Sequence, residues 1–353
     1  MSEPIASPLT LRARGAMTDD SGRSYHLIRL LGSGGFGTVY LAEQVSSGGL
    51  VQRVALKLLR RDLDAQSRAP ERMREEAIVL SRIRHPVILA AHDLVTFDGQ
   101  LGLVTEYVEG EDLSACIAEP IHPLPAAAVL EVVGQVASAL DTAWRRLQLV
   151  HRDIKPQNIR LGVHGSVKLL DFGIAWVGGA ERQVRTETHL VVGTYRYLAP
   201  ERFTAGRPPE PPSDVFALGA VLFEGLTRTP LLAGVDLFGA ASLATDPGRH
   251  GAHVQERLAC TLAGTEATAA LPSPIPPPVR DLVARMVAWD PADRPTAGAV
   301  VEACESLLPG VGGARLSTWA RSHPWPDPEE PAAPTEAPPP DTRFEHHGPL
   351  ELD

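Results

Sequence analysis

The sequence has little of several features that would indicate other classes of protein. Its three cysteines, Cys116, Cys260 and Cys304, stand far apart and match neither a disulfide framework nor a zinc motif, which favours a reducing compartment. No run of 18 apolar residues occurs, and the best candidate, residues 126–140, is interrupted by a glutamate and a glutamine. The N-terminus has no basic segment followed by an apolar core. We therefore expect no membrane span, no secretory signal and a cytoplasmic location.

Positive charge is also scarce. The chain has 33 basic residues against 43 acidic ones, a formal net charge of −10, which argues against nucleic acid or an anionic membrane as the main partner. Lysine is rarer still, because 30 of the basic residues are arginine and only Lys57, Lys155 and Lys168 are lysine. Two of these three lysines lie inside the motifs described below, where a compact ammonium has a use.

Glycine and proline are abundant, with 31 and 32 residues, and they mark the ends of the folded part. Residues 1–24 show little apolar periodicity and are predicted to be a flexible leader. Residues 25–308 are globular in character. Residues 309–353 are acidic and carry eight prolines between positions 324 and 340, so we predict a disordered tail through which a partner could bind.

The apolar pattern changes along the globular part. Strand-like runs dominate up to about residue 108, with one helix at 68–84, and helical periodicity dominates afterwards. The later helices are predicted at 125–147, 214–227, 279–289 and 296–308, with loops around one helix near 250–263. This order predicts an α+β protein with two lobes and a cleft between them.

The first motif with chemical content is the glycine cluster from Gly32 to Gly37. Such a string is weak alone, and a tight turn between strands explains it equally well. A dinucleotide-binding fold needs a helix directly after the glycines, and the sequence T-V-Y-L-A-E that follows is strand-like instead. A glycine-rich hairpin can lay its backbone N–H groups over phosphates, because no Cβ keeps the backbone away.

The second motif is Val54-Ala-Leu-Lys57, twenty residues after the last glycine. It fits a lysine that binds phosphates and pairs with a glutamate of a helix. In the predicted helix 68–84, Glu76 lies within the apolar stripe that includes Met73 and Leu80. Because a carboxylate on a buried face needs a partner, we predict a pair between Lys57 and Glu76.

The third motif is the strongest. The sequence His151-Arg-Asp-Ile-Lys-Pro-Gln-Asn158 is followed, thirteen residues after Asn158, by Asp171-Phe-Gly173. The residues between these two motifs are predicted to form a β-hairpin. Together with the glycine cluster and Lys57, this order resembles the eukaryotic-type serine/threonine protein kinases, and most of all their bacterial branch.

The resemblance covers residues 25–308 and extends through Ala199-Pro-Glu201, Ser213-Asp214 and the run from Asp290 to Arg294. It implies the two-lobed protein-kinase fold, with a β-sheet N-lobe carrying one helix at about 25–108, a helical C-lobe at about 109–308 and an ATP cleft between them. It also implies ATP and magnesium, or manganese in its place, as cofactors. The implied substrates are serine and threonine hydroxyls of proteins.

The resemblance assigns roles to individual residues. Asp153 would accept the proton of the substrate hydroxyl, Lys155 would neutralise the γ-phosphate, and Asn158 and Asp171 would bind the metal. The phosphates would be held by Lys57, itself fixed by Glu76. The residues implied in binding ATP are Leu31, Gly32, Ser33, Gly34, Gly35, Phe36, Gly37, Val39, Ala55, Lys57, Glu106, Val108 and Asp112.

Within that set, the backbone of Glu106 and Val108 would bind adenine, Asp112 would reach the ribose, and Leu31, Val39 and Ala55 would enclose the ring. Thr105 would be the gatekeeper behind it. One departure from the family pattern is Arg160, which replaces an apolar residue at the floor of the adenine site.

Further residues are implied in activation and in structure. Thr186 and Thr188 would be autophosphorylated, and Thr194 would brace the catalytic residues. Asp214 would hold the backbone of the catalytic loop. Glu201 and Arg294 would form a buried structural ion pair.

The motifs disfavour three other functions. A pseudokinase scaffold would typically lack Lys57, Asp153 or Asp171, and all three are present. A small-molecule phosphotransferase would lack the segment from Gly193 to Glu201 that presents a peptide. A nucleotide-dependent oxidoreductase is disfavoured by the strand after the glycine cluster.

Overall fold

The N-terminal half of the chain is built on one antiparallel sheet of six strands. The strands are β1 Met17–Thr18, β2 Ser24–Ser33, β3 Gly37–Val45, β4 Val51–Leu59, β5 Ala91–Phe97 and β6 Gln100–Glu106. They lie in the order β1-β2-β3-β4-β6-β5, and helix α1, Ala69–Arg82, connects β4 to β5. The computed structural model describes residues 17–34, 37–46, 48–61, 68–172, 194–203, 209–263 and 275–327.

Alternation along the strands gives this sheet two different faces. On β4, Val54 and Leu56 are fully buried and pack with Tyr25 and Phe97, whose rings meet edge to face at 5.2 Å. Lys57 projects to the opposite face, because successive side chains of a strand point to opposite sides. The sheet therefore keeps its own small core on one side and presents Lys57 to the cleft on the other.

The C-terminal half is helical. A small sheet of β7 Gly110–Asp112, β8 Ile159–Gly162 and β9 Val167–Leu169 lies among its helices. Those that the structure describes are α2 Leu113–Ala118, α3 Ala126–Leu147, α4 Pro211–Thr227, α5 Leu237–Thr245, α6 Pro247–Ala263, α7 Pro277–Met286, α8 Ala297–Leu307 and α9 Leu316–Ser322. The two-lobed α+β architecture expected from the sequence is therefore confirmed.

Helix α3 is the centre of the C-terminal lobe. It packs against α4 and α8, and eleven of its residues are buried. It is also long and apolar enough, by length and composition, to span a membrane, but 61% of its most apolar window is buried inside the domain. Its last turn ends at Gln148, which has a φ of 52° and so takes the left-handed position usually occupied by glycine.

The structure corrects the sequence prediction at both ends of the domain. The leader, predicted to be flexible over residues 1–24, is ordered from Met17, because β1 pairs with β2 and Asp19 is buried, accepting a hydrogen bond from the backbone N–H of Arg23. Residues 1–16 lie outside the described part. Between residues 232 and 263 the structure has two helices, α5 and α6, where the sequence predicted loops around one helix.

The tail prediction is also wrong for its first half. Helix α9 packs on α3 and buries Leu316, Trp319 and Ala320. Its start is fixed by Glu131 of α3, which accepts a 2.6 Å hydrogen bond from the backbone N–H of Leu316. The average composition of residues 309–353 concealed this short apolar stripe, since the proline-rich part dominates the average. Residues 328–353 lie outside the described part.

Candidate active site

Lys57 stands at the meeting point of three elements. Its Nζ lies 3.1 Å from Oε2 of Glu76 on α1 and 3.0 Å from Oδ1 of Asp171, which follows β9. The pair with Glu76 predicted from the helical stripe is therefore present, and Asp171 joins it from 114 residues away. One ammonium thus links the sheet, α1 and the C-terminal lobe.

The electrostatics of this group follow from its partners. Burial alone would lower the pKa of Lys57, but the carboxylates of Asp171 and Glu76 outweigh burial and raise it. Burial would raise the pKa of Asp171, but the Lys57 ammonium holds it below its usual value. Lys57 is therefore a charged ammonium and Asp171 a carboxylate, the states needed to bind a phosphate and a metal ion.

A second polar group gathers around Asp153. Lys155 Nζ donates to both carboxylate oxygens of Asp153, at 3.1 and 2.9 Å. Asn158 Nδ2 donates to Oδ2 and to the carbonyl oxygen of Asp153, at 2.8 and 2.7 Å. The carboxylate is thus held in one orientation, and since both amide hydrogens of Asn158 are used, its Oδ1 remains as an oxygen ligand for a cation.

Asn158 and Asp171 lie next to each other because of the small sheet. Ile159 pairs with Leu169 across β8 and β9, and the backbone N–H of Leu170 donates to the carbonyl oxygen of Asn158 at 2.8 Å. One carboxylate and one amide oxygen therefore face the same end of the cleft. Oxygen donors of this kind suit a hard divalent ion such as magnesium.

Asp214 holds the backbone of the loop that carries Asp153, which is the contact predicted for it. Its carboxylate accepts hydrogen bonds from the backbone N–H groups of His151 and Arg152, at 2.6 and 2.8 Å. These bonds hold Arg152 at a φ of 74°, a left-handed conformation that a non-glycine residue rarely adopts. The backbone directly before Asp153 is therefore fixed by these two hydrogen bonds.

His151 connects this loop to the residues on either side of Asp171. Its ring is fully buried, its Nε2 lies 2.9 Å from the carbonyl oxygen of Leu170, and its ring centroid stands 4.6 Å from that of Phe172. Burial lowers the pKa of His151, so the ring is neutral and structural. The residues on both sides of Asp171 are thereby tied to the loop that carries Asp153.

The predicted structural ion pair is also present. Arg294 donates to both oxygens of Glu201 at 2.8 Å, and its side chain is 0% exposed. Ser213 Oγ donates to the same carboxylate at 2.7 Å. Burial alone would raise the pKa of Glu201, but the Arg294 guanidinium lowers it. This group joins the turn at Glu201 to the start of α4 and to the segment before α8.

The predicted adenine-binding residues lie on the cleft face of the sheet or beside it. Val39 is the register partner of Lys57, and Ala55 is the register partner of Thr105. The Thr105 side chain is 6% exposed and its Oγ1 lies 3.5 Å from the Ala55 carbonyl oxygen. Leu31 is half-buried near the end of β2.

The glycine cluster forms the turn between β2 and β3. Gly32 and Ser33 end β2, Gly37 begins β3, and the Gly34 N–H donates to the Gly37 carbonyl oxygen at 2.9 Å. A Cβ on Gly32 or Gly34 would meet nothing within 4 Å, so the backbone there faces open space. Gly35 and Phe36 lie outside the described residues.

The segment that joins the lobes contains contacts that the sequence did not reveal. Lys168 Nζ lies 2.6 Å from Oε1 of Glu106, so all three lysines of the chain are paired with acids around the cleft. Arg160 Nε donates to the carbonyl oxygen of Val108 at 2.7 Å, and its Nη2 donates to that of Gly110. The rarity of lysine was the one signal that could have pointed to Lys168.

The structure explains the presence of Asp112 in another way, and it does not test the roles predicted for three threonines. Asp112 is the N-cap of α2 and accepts from the backbone N–H of Ala115 at 3.0 Å, which accounts for its presence without a ribose. Its predicted contact with the ribose stays a prediction. Thr186 and Thr188 lie outside the described residues, as does the side chain of Thr194, so the bracing role of Thr194 also stays a prediction.

The chain is similar to known proteins over the region that contains this cleft. The sequence profile of the protein kinase domain matches residues 25–304. The serine/threonine-protein kinase PrkC of Bacillus subtilis (strain 168) is 41% identical over 209 residues, which is 59% of this chain and 31% of PrkC. PknF of Mycobacterium tuberculosis (strain ATCC 25618 / H37Rv) is 38% identical over 212 residues, 58% of this chain and 43% of PknF. Pkn1 of Myxococcus xanthus is 39% identical over 208 residues, 58% of this chain and 29% of Pkn1.

The aligned region therefore spans less than half the length of each of these relatives, and the similarity concerns the kinase domain. Both the profile match and the geometry of Lys57, Asp153 and Asp171 fall within that domain. On these grounds the chain belongs to the protein kinase family.

Proposed function

We propose that this chain transfers the γ-phosphate of ATP to serine and threonine hydroxyls of proteins, with magnesium as the metal. The observation that carries the proposal is the placement of Lys57 between Glu76 and Asp171, at 3.1 and 3.0 Å. A pseudokinase scaffold has no need of this paired ammonium together with an intact Asp153 and Asn158. Manganese in place of magnesium would use the same oxygen ligands.

The metal and nucleotide fit the residues that are present. Asp171 and Asn158 Oδ1 would hold a divalent ion, which when bound would neutralise phosphate charge. Lys57 would bind the phosphates, and the open backbone of Gly32 and Gly34 would lie over them. The adenine end would lie toward residues 106–108, because the phosphate-binding groups occupy the other end of the cleft.

The chain's own residues would carry the proton and position the substrate. Asp153, held by Lys155 and Asn158, would accept the proton from a substrate hydroxyl and direct that oxygen toward the phosphate. Lys155 would then stabilise the negative charge on the transferred group. Phosphoryl transfer depends mainly on such positioning and charge neutralisation.

Regulation by autophosphorylation of Thr186 or Thr188 is a further part of the proposal. Its support is Arg152, whose Nε and Nη1 are buried and have no hydrogen-bond partner among the residues that the structure describes. A phosphate oxygen is a suitable acceptor for a guanidinium in that position. Mass spectrometry of active enzyme should find phosphate on at least one of these threonines. Full activity of the Thr186→Ala, Thr188→Ala double variant would contradict it.

A cytoplasmic location, a reducing environment and partner binding through the proline-rich tail remain proposals from composition alone.

The kinase proposal itself is tested with labelled ATP, magnesium and a generic protein substrate. Lys57→Met and Asp171→Asn should each abolish transfer, through loss of phosphate binding and of metal binding respectively. The matched control is Arg53→Met on the same strand, at an exposed position, which should retain activity. Normal transfer by both active-site variants would overturn the proposal.

A further inference from the structure

A second group of metal-binding side chains lies away from the cleft. It consists of Glu111 on β7, Cys116 on α2 and His323, which directly follows α9. We refer to it as the Glu111–Cys116–His323 cluster. One potential donor atom from each residue lies within 4.8 Å of the other two, and His323 Nε2 is 3.3 Å from Glu111 Oε2. More than two hundred residues of chain separate Glu111 from His323.

Two of the three side chains are removed from water. Cys116 is 0% exposed and the side chain of His323 is 1% exposed. His323 Nδ1 is buried without a hydrogen-bond partner among the described residues. Because the two ring nitrogens point in different directions, an ion beside Glu111 would be bound by Nε2 and not by this nitrogen.

The imidazole is held in place independently of any ligand. Its ring lies against that of Trp319, with a centroid distance of 4.3 Å and an interplanar angle of 32°, and meets that of Trp325 edge to face at 4.5 Å. The indole N–H groups of these tryptophans donate to the carbonyl oxygens of His122 and Ala320, at 3.2 and 2.6 Å. The ring is therefore fixed in orientation before anything binds to it, which is what a metal-binding histidine needs.

We propose that the Glu111–Cys116–His323 cluster is a binding site for a zinc-class transition metal ion that attaches the C-terminal segment to the C-terminal lobe. Sulfur, imidazole nitrogen and carboxylate oxygen are together the donors that zinc prefers, whereas a thiolate disfavours magnesium and calcium. A thiolate and a carboxylate also neutralise the two positive charges of the ion. With three protein ligands, the fourth tetrahedral position is open to water.

The distances allow such a site after a small contraction. Three ligands on one tetrahedral zinc ion stand about 3.5 Å apart, since metal–ligand bonds are about 2.0–2.3 Å. The donor atoms of the cluster, within 4.8 Å of one another, therefore need to approach by at most about 1.3 Å. The pair already at 3.3 Å needs almost no movement.

Metal binding at this site would release the proton of the Cys116 thiol. Burial, reinforced by the Glu111 charge, raises the pKa of the Cys116 thiol, so the thiol is neutral without a metal. On binding, the S–H bond breaks, its proton passes to solvent, and a sulfur–metal bond forms with no change of oxidation state. The ion would then join β7, α2 and the end of the C-terminal segment beside residues 106–110, which connect the two lobes.

The test uses cobalt as a spectroscopic substitute for zinc. The full chain, stripped with a chelator and free of nucleotide, is titrated with Co²⁺, and the thiolate-to-cobalt absorption in the near ultraviolet is recorded. We expect the band to saturate at one ion per chain and to disappear when Zn²⁺ is added. An ion at Asp171 and Asn158 would have oxygen ligands alone and would give no such band, so this readout is independent of kinase activity.

Variants identify the ligands. Cys116→Ser and His323→Gln should lose the band or weaken cobalt binding by more than about tenfold. Cys304→Ser and Cys260→Ser should keep it. Cys304 is the matched control because it is as deeply buried as Cys116, at 1% exposure, but lies on α8 away from the cluster.

Circular dichroism establishes whether each variant is folded. If Cys116→Ser is unfolded, the cobalt titration of His323→Gln is the test of the proposal. Absence of the band in the unmodified chain would overturn the proposal, since a hydrogen bond from His323 to Glu111 would then be the whole role of the cluster. Persistence of the band in folded Cys116→Ser or His323→Gln would overturn it equally.

Discussion

Two ion-pair groups of similar composition serve different ends in this protein. At the cleft, Lys57 pairs with Glu76 and Asp171, and its side chain is 25% exposed. Within the C-terminal lobe, Arg294 pairs with Glu201, and its side chain is 0% exposed. The chemistry of the pairs is nearly the same, so the difference lies in their surroundings.

The two cations differ in how many of their N–H groups donate hydrogen bonds to the protein. Arg294 also donates to the backbone carbonyl oxygens of Ala288, Pro212 and Trp289, at 2.7, 3.0 and 3.0 Å, so every side of the guanidinium is occupied. Lys57 has two carboxylates and an open cleft beside it. A saturated, buried cation can only support the fold, whereas a partly exposed cation can exchange partners with a ligand. Asp153→Asn and Arg294→Met test this distinction, and Trp319→Ala and Thr105→Met are expected to have smaller effects at other sites.

The largest effect is expected at Asp153, which shares the cleft with Lys57. Asp153→Asn removes the proton acceptor but keeps the shape of the side chain, so we expect turnover to fall by about 10²- to 10⁴-fold. The thermal midpoint should not change. A kinase assay and a thermal melt on the same sample measure both. The control is Asp141→Asn on α3, a carboxylate outside the cleft whose side chain is 26% exposed. Near-normal turnover of Asp153→Asn would show that this cleft carboxylate is not needed for transfer.

The next effect concerns the saturated pair. Arg294→Met leaves Glu201 buried and unpaired, which should lower the free energy of unfolding by about 3–5 kcal/mol. Turnover per folded molecule should be retained, because the pair does not face the cleft. Urea unfolding gives the stability, and the double variant with Glu201→Met should recover part of it, since no lone charge then remains buried. An unchanged stability of Arg294→Met would show that the buried pair with Glu201 does not stabilise the fold.

A smaller loss is expected where the C-terminal segment docks. Trp319 is 4% exposed, and Trp319→Ala should reduce the free energy of unfolding by about 3 kcal/mol through lost packing against α3. Trp144→Ala is the matched control, because Trp144 is 36% exposed and its replacement should cost less than about 0.5 kcal/mol. Chemical denaturation of both variants checks this. Equal stabilities would mean that the segment contributes nothing to the domain.

The smallest effect is expected behind the adenine site, and it rests on the proposed function. Thr105→Met should weaken inhibitors that reach past adenine by about 1–3 kcal/mol, the cost of overpacking a tight site. ATP affinity should change little, because ATP does not extend behind Thr105. Calorimetry with both ligands on both proteins measures the difference. A parallel loss of ATP affinity would show that Thr105 lines the adenine site itself.

Predictions from the sequence held best where the signal is local. The run from His151 to Asn158 contains its candidate groups within eight residues, so a role could be predicted for it without a fold. The stripe that placed Glu76 on the inner face of α1 was equally readable, because helix geometry fixes which residues share a face. Disorder of the tail was predicted wrongly over α9, since an average over 309–353 hides a short stripe that includes Leu316 and Trp319.

Contacts between distant parts of the chain could not be read in this way. Nothing in the local sequence places Asp214 under the backbone of His151, 63 residues earlier, or His323 beside Glu111, 212 residues earlier. The same holds for Arg160, whose hydrogen bond to the Val108 carbonyl oxygen depends on how β8 lies beside the segment joining the lobes.

The sequence by itself determined which residues could do chemistry here, because residue type and short-range spacing are written directly in it. It also determined the alternation of strands and helices through its apolar periods. The tertiary structure alone decided which charges became partners, how exposed each remained, and thus which pair supports the fold and which faces a ligand. The physical reason is that the strength and the role of an ion pair depend on desolvation and on its remaining neighbours, and these are set by packing between segments far apart in the chain.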